Sequence, residues 1–409
     1  GNGARRLFKA RGAVVTALRG RTILQIIPRL DAGGAERTTV DIAEALVKAG
    51  ARALVATEGG RLLDELKSKG GHHIPFPAAT KNPFSLVANI GRLAALCRAE
   101  HVDLLHARSR APAWSAYFAS RRIGRPFVTT YHGSYSGSSS LKLFYNSIMA
   151  RGDIVIANSA YTAALIASHY GFAKSRTEII HRGTDLDEFN PTSIDPARCH
   201  ALRQAWGVTE DKDIVLLAAR LTGWKGQKIL IEALRQIIDR GFKNLVVVLA
   251  GDDQGRTAYR AELDSLITQR GLSDFVRIVG HCTDMPAAFL AARVVVVPST
   301  EPEAFGRSAV EAQAMGTPVI VSELGAVPET VLAPPDTPRD QRTGWHVPPG
   351  DVSACAHALM EVLHLSADER LRLRDRARLH VETHFSLDQM TDKTLSVYRR
   401  LIAEDMRAV

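Results

Sequence analysis

Apolar and polar positions along this chain fall into a repeating order. Short, almost wholly apolar runs are followed by longer stretches in which apolar residues recur with helical spacing. Thr22–Ile27, Ala53–Thr57, Ile74–Phe76, Val102–Leu105, Pro126–Thr130, Ile154–Ala157 and Thr177–Ile180 read as strands, with helical stretches at 39–49, 62–69, 86–99 and 112–120. The rhythm restarts at Ile214–Ala218, Leu245–Ala250, Val276–His281, Val294–Val297 and Pro318–Val321. Strands that alternate with helices predict parallel sheets with helices on both faces. Ligands then gather at the carboxyl ends of the strands. With 409 residues, two domains are expected. The pattern places one at 1–190 and one at 191–385, with a linker near 186–200. The tail from Ser366 to Ala408 reads as mostly helical, and 386–409 is set apart as a C-terminal helix.

The stretch from Ser299 to Ile320 carries the densest candidate chemistry. It follows the apolar run Val294–Val297 and is interrupted at Pro302. Helical spacing starts near Phe305, puts Val310, Ala314 and Met315 on one buried face, and stops at Gly316 and Pro318. Glu303 therefore lies in a loop at a helix N-terminus, and Glu311 lies about two turns inside that helix. The helix start, Ala304, Phe305 and Gly306, offers backbone N–H groups and the positive end of a dipole, which suit phosphate or a sugar oxygen. An arbitrary pair of this kind reads first as a capping Glu303 and a solvated Glu311; the Pro-Glu-Ala-Phe-Gly entry and the Met-Gly-Thr-Pro exit argue against that reading here.

Other polar groups fall at predicted strand tips. Gly33 and Gly34 sit between a strand and a helix, where a backbone can approach a ligand closely; the loop is not G-x-G-x-x-G. His132 follows the strand at 126–130 and precedes the Gly/Ser-rich run 133–140, a composition expected of a flexible, acceptor-facing loop. Arg220 and Lys225 flank a Gly turn after Ala218. One offers a planar fork and the other a mobile point charge, a pairing suited to a diphosphate. Gly251 closes another strand.

In its extended form, Glu303…Glu311 followed by Ala-Met-Gly-Thr-Pro-Val, this chain resembles the retaining glycosyltransferases of family 4. The resemblance covers nearly the whole chain. It implies the GT-B fold, two Rossmann-like doubly wound domains facing a central cleft, with a C-terminal helix crossing back to the first domain. It implies a hexose-type sugar moved from a nucleotide diphosphate (UDP or GDP) to a glycan or lipid-linked acceptor, with retained configuration and without a metal or other cofactor. Carried over, Arg220 and Lys225 neutralise the diphosphate with Gly33, Gly34 and the amides at Phe305 and Gly306. Glu303 holds sugar hydroxyls, Glu311 the ribose, and His132 the sugar at its reacting face. Gly251 lines the donor site, and the backbone at Val279 and His281 receives the base. The segment His181–Asp185 departs from the family pattern: Arg182 stands where Asn is usual. A transferase acting on a soluble sugar phosphate and a GT-B epimerase are the alternative readings.

Charge changes this picture at one point. The net charge is +9, yet residues 1–185 hold 26 basic and 12 acidic side chains, so the remainder is acidic on balance. Such asymmetry suggests that the first half meets an anionic surface, membrane or acceptor. Nucleic acid is not expected, because basic residues are not interleaved with aromatic ones. Residues 1–20 read as a basic arm. No apolar run reaches 18 residues, and the scattered Cys97, Cys199, Cys282 and Cys355 form no C-x-x-C pair. These features point to a cytoplasmic protein at the inner membrane face, and together with the resemblance they imply a role in lipopolysaccharide-type glycan assembly.

Overall fold

A computed structural model describes residues 17–133, 135 and 137–408; the first sixteen residues of the arm expected at 1–20, two serines of the 133–140 run and Val409 lie outside them. The described residues divide into two compact units, one ending at Gly183 and resuming at Asp388, the other spanning Thr184–Leu387.

The first unit holds seven strands: β1 (Thr22–Ile26), β2 (Arg52–Thr57), β3 (His72–Pro75), β4 (Leu104–Ala107), β5 (Phe127–Tyr131), β6 (Ile154–Ala157) and β7 (Thr177–Ile179). All pair in parallel, in the order β3-β2-β1-β4-β5-β6-β7. β1 registers Ile23 against both Ala53 and Leu104, so it is central and must be apolar on both faces. The second unit holds β8 (Asp213–Ala218), β9 (Leu245–Ala250), β10 (Val276–Gly280), β11 (Val294–Val297), β12 (Val319–Ser322) and β13 (Gly344–Val347), parallel in the order β10-β9-β8-β11-β12-β13. Successive residues of its strands feed opposite layers. Leu216, Val248 and Val295 pack on one face, and Leu217, Leu249 and Val296 on the other.

Each sheet reverses its strand order once, between β1 and β4 in the first and between β8 and β11 in the second. Loops leaving the carboxyl ends of strands at such a switch point diverge and leave a crevice. The loops with Gly33, Gly34 and Arg108 leave one of them. Those with Arg220, Lys225 and Glu303 leave the other.

The division falls at Gly183/Thr184 rather than at 190/191. Thr184 is stitched to the far end of the second unit by Thr184 N–H to Phe385 O, 2.8 Å, and Leu387 N–H to Thr184 O, 3.0 Å. Where the pattern suggested a linker, Asp195 caps a helix, Pro196–Trp206. A second unforeseen helix, Ser140–Asn146, is capped by Ser139 directly after the Gly/Ser run. The tail forms helices Ala367–His384 and Leu387–Ala408; the latter, part of the first unit from Asp388 on, buries Leu395, Tyr398, Leu401 and Ile402 and is tied within it by Arg400–Glu178, 2.7 Å. Among the described residues, no helix is long and apolar enough to cross a membrane, and the four cysteines are free.

Candidate functional site

In the second unit the loop after β8 folds against the loop after β11. Gly226 sits at φ +81°, and a Cβ there would lie 2.0 Å from the carbonyl oxygen of Pro298, so only glycine allows this approach. Thr300 N–H donates to Trp224 O at 2.8 Å, locking the two loops together. The result brings Lys225 onto Glu303. Their side chains form an ion pair, each largely shielded from solvent. Ser299 Oγ donates to the same Glu303 oxygen at 3.2 Å, and Lys225 Nζ lies 4.2 Å from the Trp224 ring centre. Read from motifs alone these two residues have separate tasks, and the fold makes them partners. Glu303 is further pinned by a β-bridge to Gly325 and by Ala326 N–H donating to its carbonyl at 2.8 Å.

The helix begins at Arg307, with Gly306 at φ +90° as its cap. The Phe305 ring turns into the core, edge-on to Phe385 at 6.0 Å, so Phe305 anchors the loop while Ala304 stays half-exposed. Glu311 is buried and accepts from Arg307 Nε at 2.5 Å. Val310, Ala314 and Met315 share the buried face expected of them.

The remaining predicted residues of this unit line the same sheet edge. Gly251 follows β9, and a Cβ on it would stand 1.8 Å from Ala219 O. Arg220 is exposed at the tip of β8; its carbonyl accepts from Gln227, and among the described residues its guanidinium has no ion-pair partner. β10 carries a bulge between Ile278 and Gly280, so Val279 drops out of the ladder with β9. A bulge at a strand end frees backbone groups to face a ligand. His281 is exposed just beyond it.

The first unit assembles a different edge. Arg108, directly after β4, is buried, with Nη2 donating to Gln25 Oε1 at 2.7 Å and Nη1 to Thr130 Oγ1 at 3.3 Å. Both partners are neutral, and among the described residues Nε has none. A buried guanidinium held only by neutral groups is costly unless an anion completes its shell. His106 is buried beside it, bonded to Tyr398 Oη at 2.5 Å and to Thr130 Oγ1 at 2.7 Å. His132, after β5, is half-buried as a residue, but its Nε2 is shut off from solvent and has no partner among the described residues. Burial first, then the charges of Arg108 and Arg182, hold His132 well below the ordinary imidazole range, so it is neutral. Asp41 acts on Arg108 from the helix Gly34–Lys48; burial lifts its carboxyl to about 6.

The glycine loop is occupied in ways the sequence did not suggest. Gly33 N–H donates to the Glu36 carboxylate, which takes the amide expected to face an anion. A Cβ on Gly34 would stand 2.0 Å from the Arg182 guanidinium, so Gly34 makes room for the residue that departs from the family pattern. Sequence reasoning passed over Arg108, Gln25, Tyr398, Ser299 and Trp224. Gln25 had a signal, a polar residue in the apolar run Thr22–Ile26. Tyr398, distant in the chain from His106, had none.

Comparison with known proteins bears on what these edges do. A model of Glycosyltransferase Family 4 matches residues 32–188, and one of glycosyl transferases group 1 matches residues 200–380. A D-inositol 3-phosphate glycosyltransferase of Salinispora arenicola is 30% identical over 338 residues, 78% of this chain and 73% of that one. The crystal structure of a glycosyltransferase from Rickettsia africae superposes with a TM-score of 0.85 at 32% identity, covering 94% of this chain and 99% of that one. The Anabaena protein HepE, solved with UDP and glucose, superposes with a TM-score of 0.73 at 26% identity, over 95% of this chain and all of that one (100%).

Proposed function

The chain belongs to glycosyltransferase family 4, with the GT-B fold, and from that premise we propose that it moves a hexose from a UDP- or GDP-linked donor to a lipid-linked glycan acceptor, at the cytoplasmic face of a membrane and without a metal. The observation that carries the donor half is the pairing of Lys225 with Glu303 at the switch point of the second sheet. A cation and a carboxylate held in register suit a substrate with a charged diphosphate next to a hydroxyl-rich sugar.

In the proposed reaction the bond from the anomeric carbon to the diphosphate oxygen breaks, and the nucleoside diphosphate departs with the electron pair. A bond from the acceptor oxygen to that carbon forms on the same face. The acceptor proton passes to the departing phosphate oxygen. Arg220 and Lys225 neutralise the leaving group, assisted by the backbone amides at Phe305 and Gly306. Lys225 exchanges Glu303 for phosphate, which frees Glu303 for the sugar hydroxyls. Buried Glu311 takes the ribose, Gly251 allows close approach, and the bulged backbone at Val279 and His281 takes the base. In the first unit, neutral His132 offers Nε2 to a hydroxyl of the substrate that meets that edge.

A second reading, a soluble sugar-phosphate acceptor, has its own support: the relatives named D-inositol 3-phosphate glycosyltransferases and the buried Arg108 without a carboxylate at hydrogen-bond distance. A thermal-shift screen of UDP, GDP and ADP sugars tests the donor assignment. A specific donor at about a hundred times its Kd stabilises by about 2.7 kcal/mol. A flat response to every UDP and GDP sugar would overturn it. Transfer assays with a polyprenyl-diphosphate glycan and with inositol phosphate then separate the two acceptors.

A further inference from the structure

The first unit carries an exposed apolar surface. The helix Ser140–Asn146 turns Leu141 and Phe144 outward, 79% and 59% exposed. Phe172, in the turn Gly171–Arg176, is 51% exposed, and Phe118 is exposed on the helix Arg110–Ile123. These side chains are contiguous. Trp114 stacks on Phe118 at 6.2 Å and leans on Phe144 at 5.4 Å; Arg151 lies over both Phe144 and Phe172, at 5.8 and 5.3 Å. Tyr170 Oη donates to Leu143 O at 2.9 Å and ties the helix to the turn. An apolar hollow of about 480 Å³ opens between Trp114, Leu141 and Phe144.

The charge around it is of one sign. From Arg110 to Arg176 the chain has eight basic residues and a single acid, Asp153, which is engaged by Arg121. Lys142 and Arg151 sit within the apolar surface, and Lys174 and Arg176 in the turn that carries Phe172. An apolar patch of this extent marks an interaction surface. Long basic side chains can lay their stems along apolar groups while their charges reach phosphate headgroups. Insertion of Leu and Phe side chains together with several cations is the combination that holds a protein on an anionic bilayer.

We propose that this protein lies on anionic lipid through the surface formed by the helix Ser140–Asn146, the turn Gly171–Arg176 and the outer side of the helix Arg110–Ile123. The surface deepens the lipid-linked reading above and rests on it. It also follows directly after the Gly/Ser run 133–140 beyond β5, so the segment expected to meet the acceptor continues into the segment that meets the membrane.

Flotation of the full chain with vesicles tests this. Binding to phosphatidylcholine mixed with phosphatidylglycerol is expected to exceed binding to phosphatidylcholine alone by about tenfold and to weaken with salt. The double variant Leu141→Asp, Phe144→Asp is expected to lose binding by about tenfold or more, while its thermal shift with UDP stays that of the parent, showing that the fold is intact. No flotation of the parent overturns the proposal. Flotation of the double variant at the parent's level overturns it too, by moving the contact elsewhere. Parent dimers that the double substitution dissolves, without vesicle binding, would assign the surface to a second copy instead. Vesicle binding without transfer to any lipid-linked acceptor sinks the acceptor reading and leaves the surface standing.

Discussion

The two switch points differ in how they treat charge. In the second unit the carboxylates at the sheet edge are paired, although Thr222 Oγ1 has no partner among the described residues: Lys225 pairs with Glu303, Ser299 adds a hydrogen bond, and Arg307 holds Glu311. In the first unit Arg108 is buried among neutral groups with Nε unpartnered, and neutral His132 has an unpartnered Nε2 beside it. One edge is pre-assembled, so a ligand there must exchange partners. The other has excess positive charge, so an anion there completes it. The same fold element, a strand-to-helix loop, supports both, because only the side chains at the tips differ.

The largest expected effect breaks the pre-assembled edge. Lys225→Ala should lower transfer by about 100- to 1,000-fold, read as kcat with a saturating donor, with the far-ultraviolet spectrum unchanged. Gly251→Ala should destabilise the second unit by about 3 kcal/mol, measured by urea unfolding, because the new methyl meets Ala219 O. An unchanged midpoint would mean that the loop yields easily.

Two smaller effects probe the uncompensated edge. Tyr398→Phe removes the hydroxyl on His106 and should cost about 1–2 kcal/mol. Asp41→Asn tests the pH behaviour. Asp41 is raised from 3.8 to about 6 in the folded protein, chiefly by burial. Between those values the folded state binds more protons than the unfolded one, so this group's contribution to stability falls as pH rises through that window. The Asn variant should therefore melt higher than the parent at pH 8, by about 1–2 kcal/mol, and no higher at pH 3.5. Equal differences at both pH values would remove Asp41 from the account.

The chain's own pattern settled the order of strands and helices and the parallel, doubly covered sheets, since continuous apolar runs such as Val294–Val297 admit few other placements. The expected loop positions of Arg220, Lys225, Gly251 and Glu303 follow from the same pattern, because each stands just after such a run. Local rules reach that far, for they join residues a few positions apart. The partnership of Lys225 with Glu303, the shelter of Gly34 for Arg182 and the hydroxyl that Tyr398 lends to His106 join distant positions, and only packing sets them. The exposed surface around Phe144 belongs to the same class. Its residues read as ordinary core formers, and that nothing among the described residues packs over them is set by the fold.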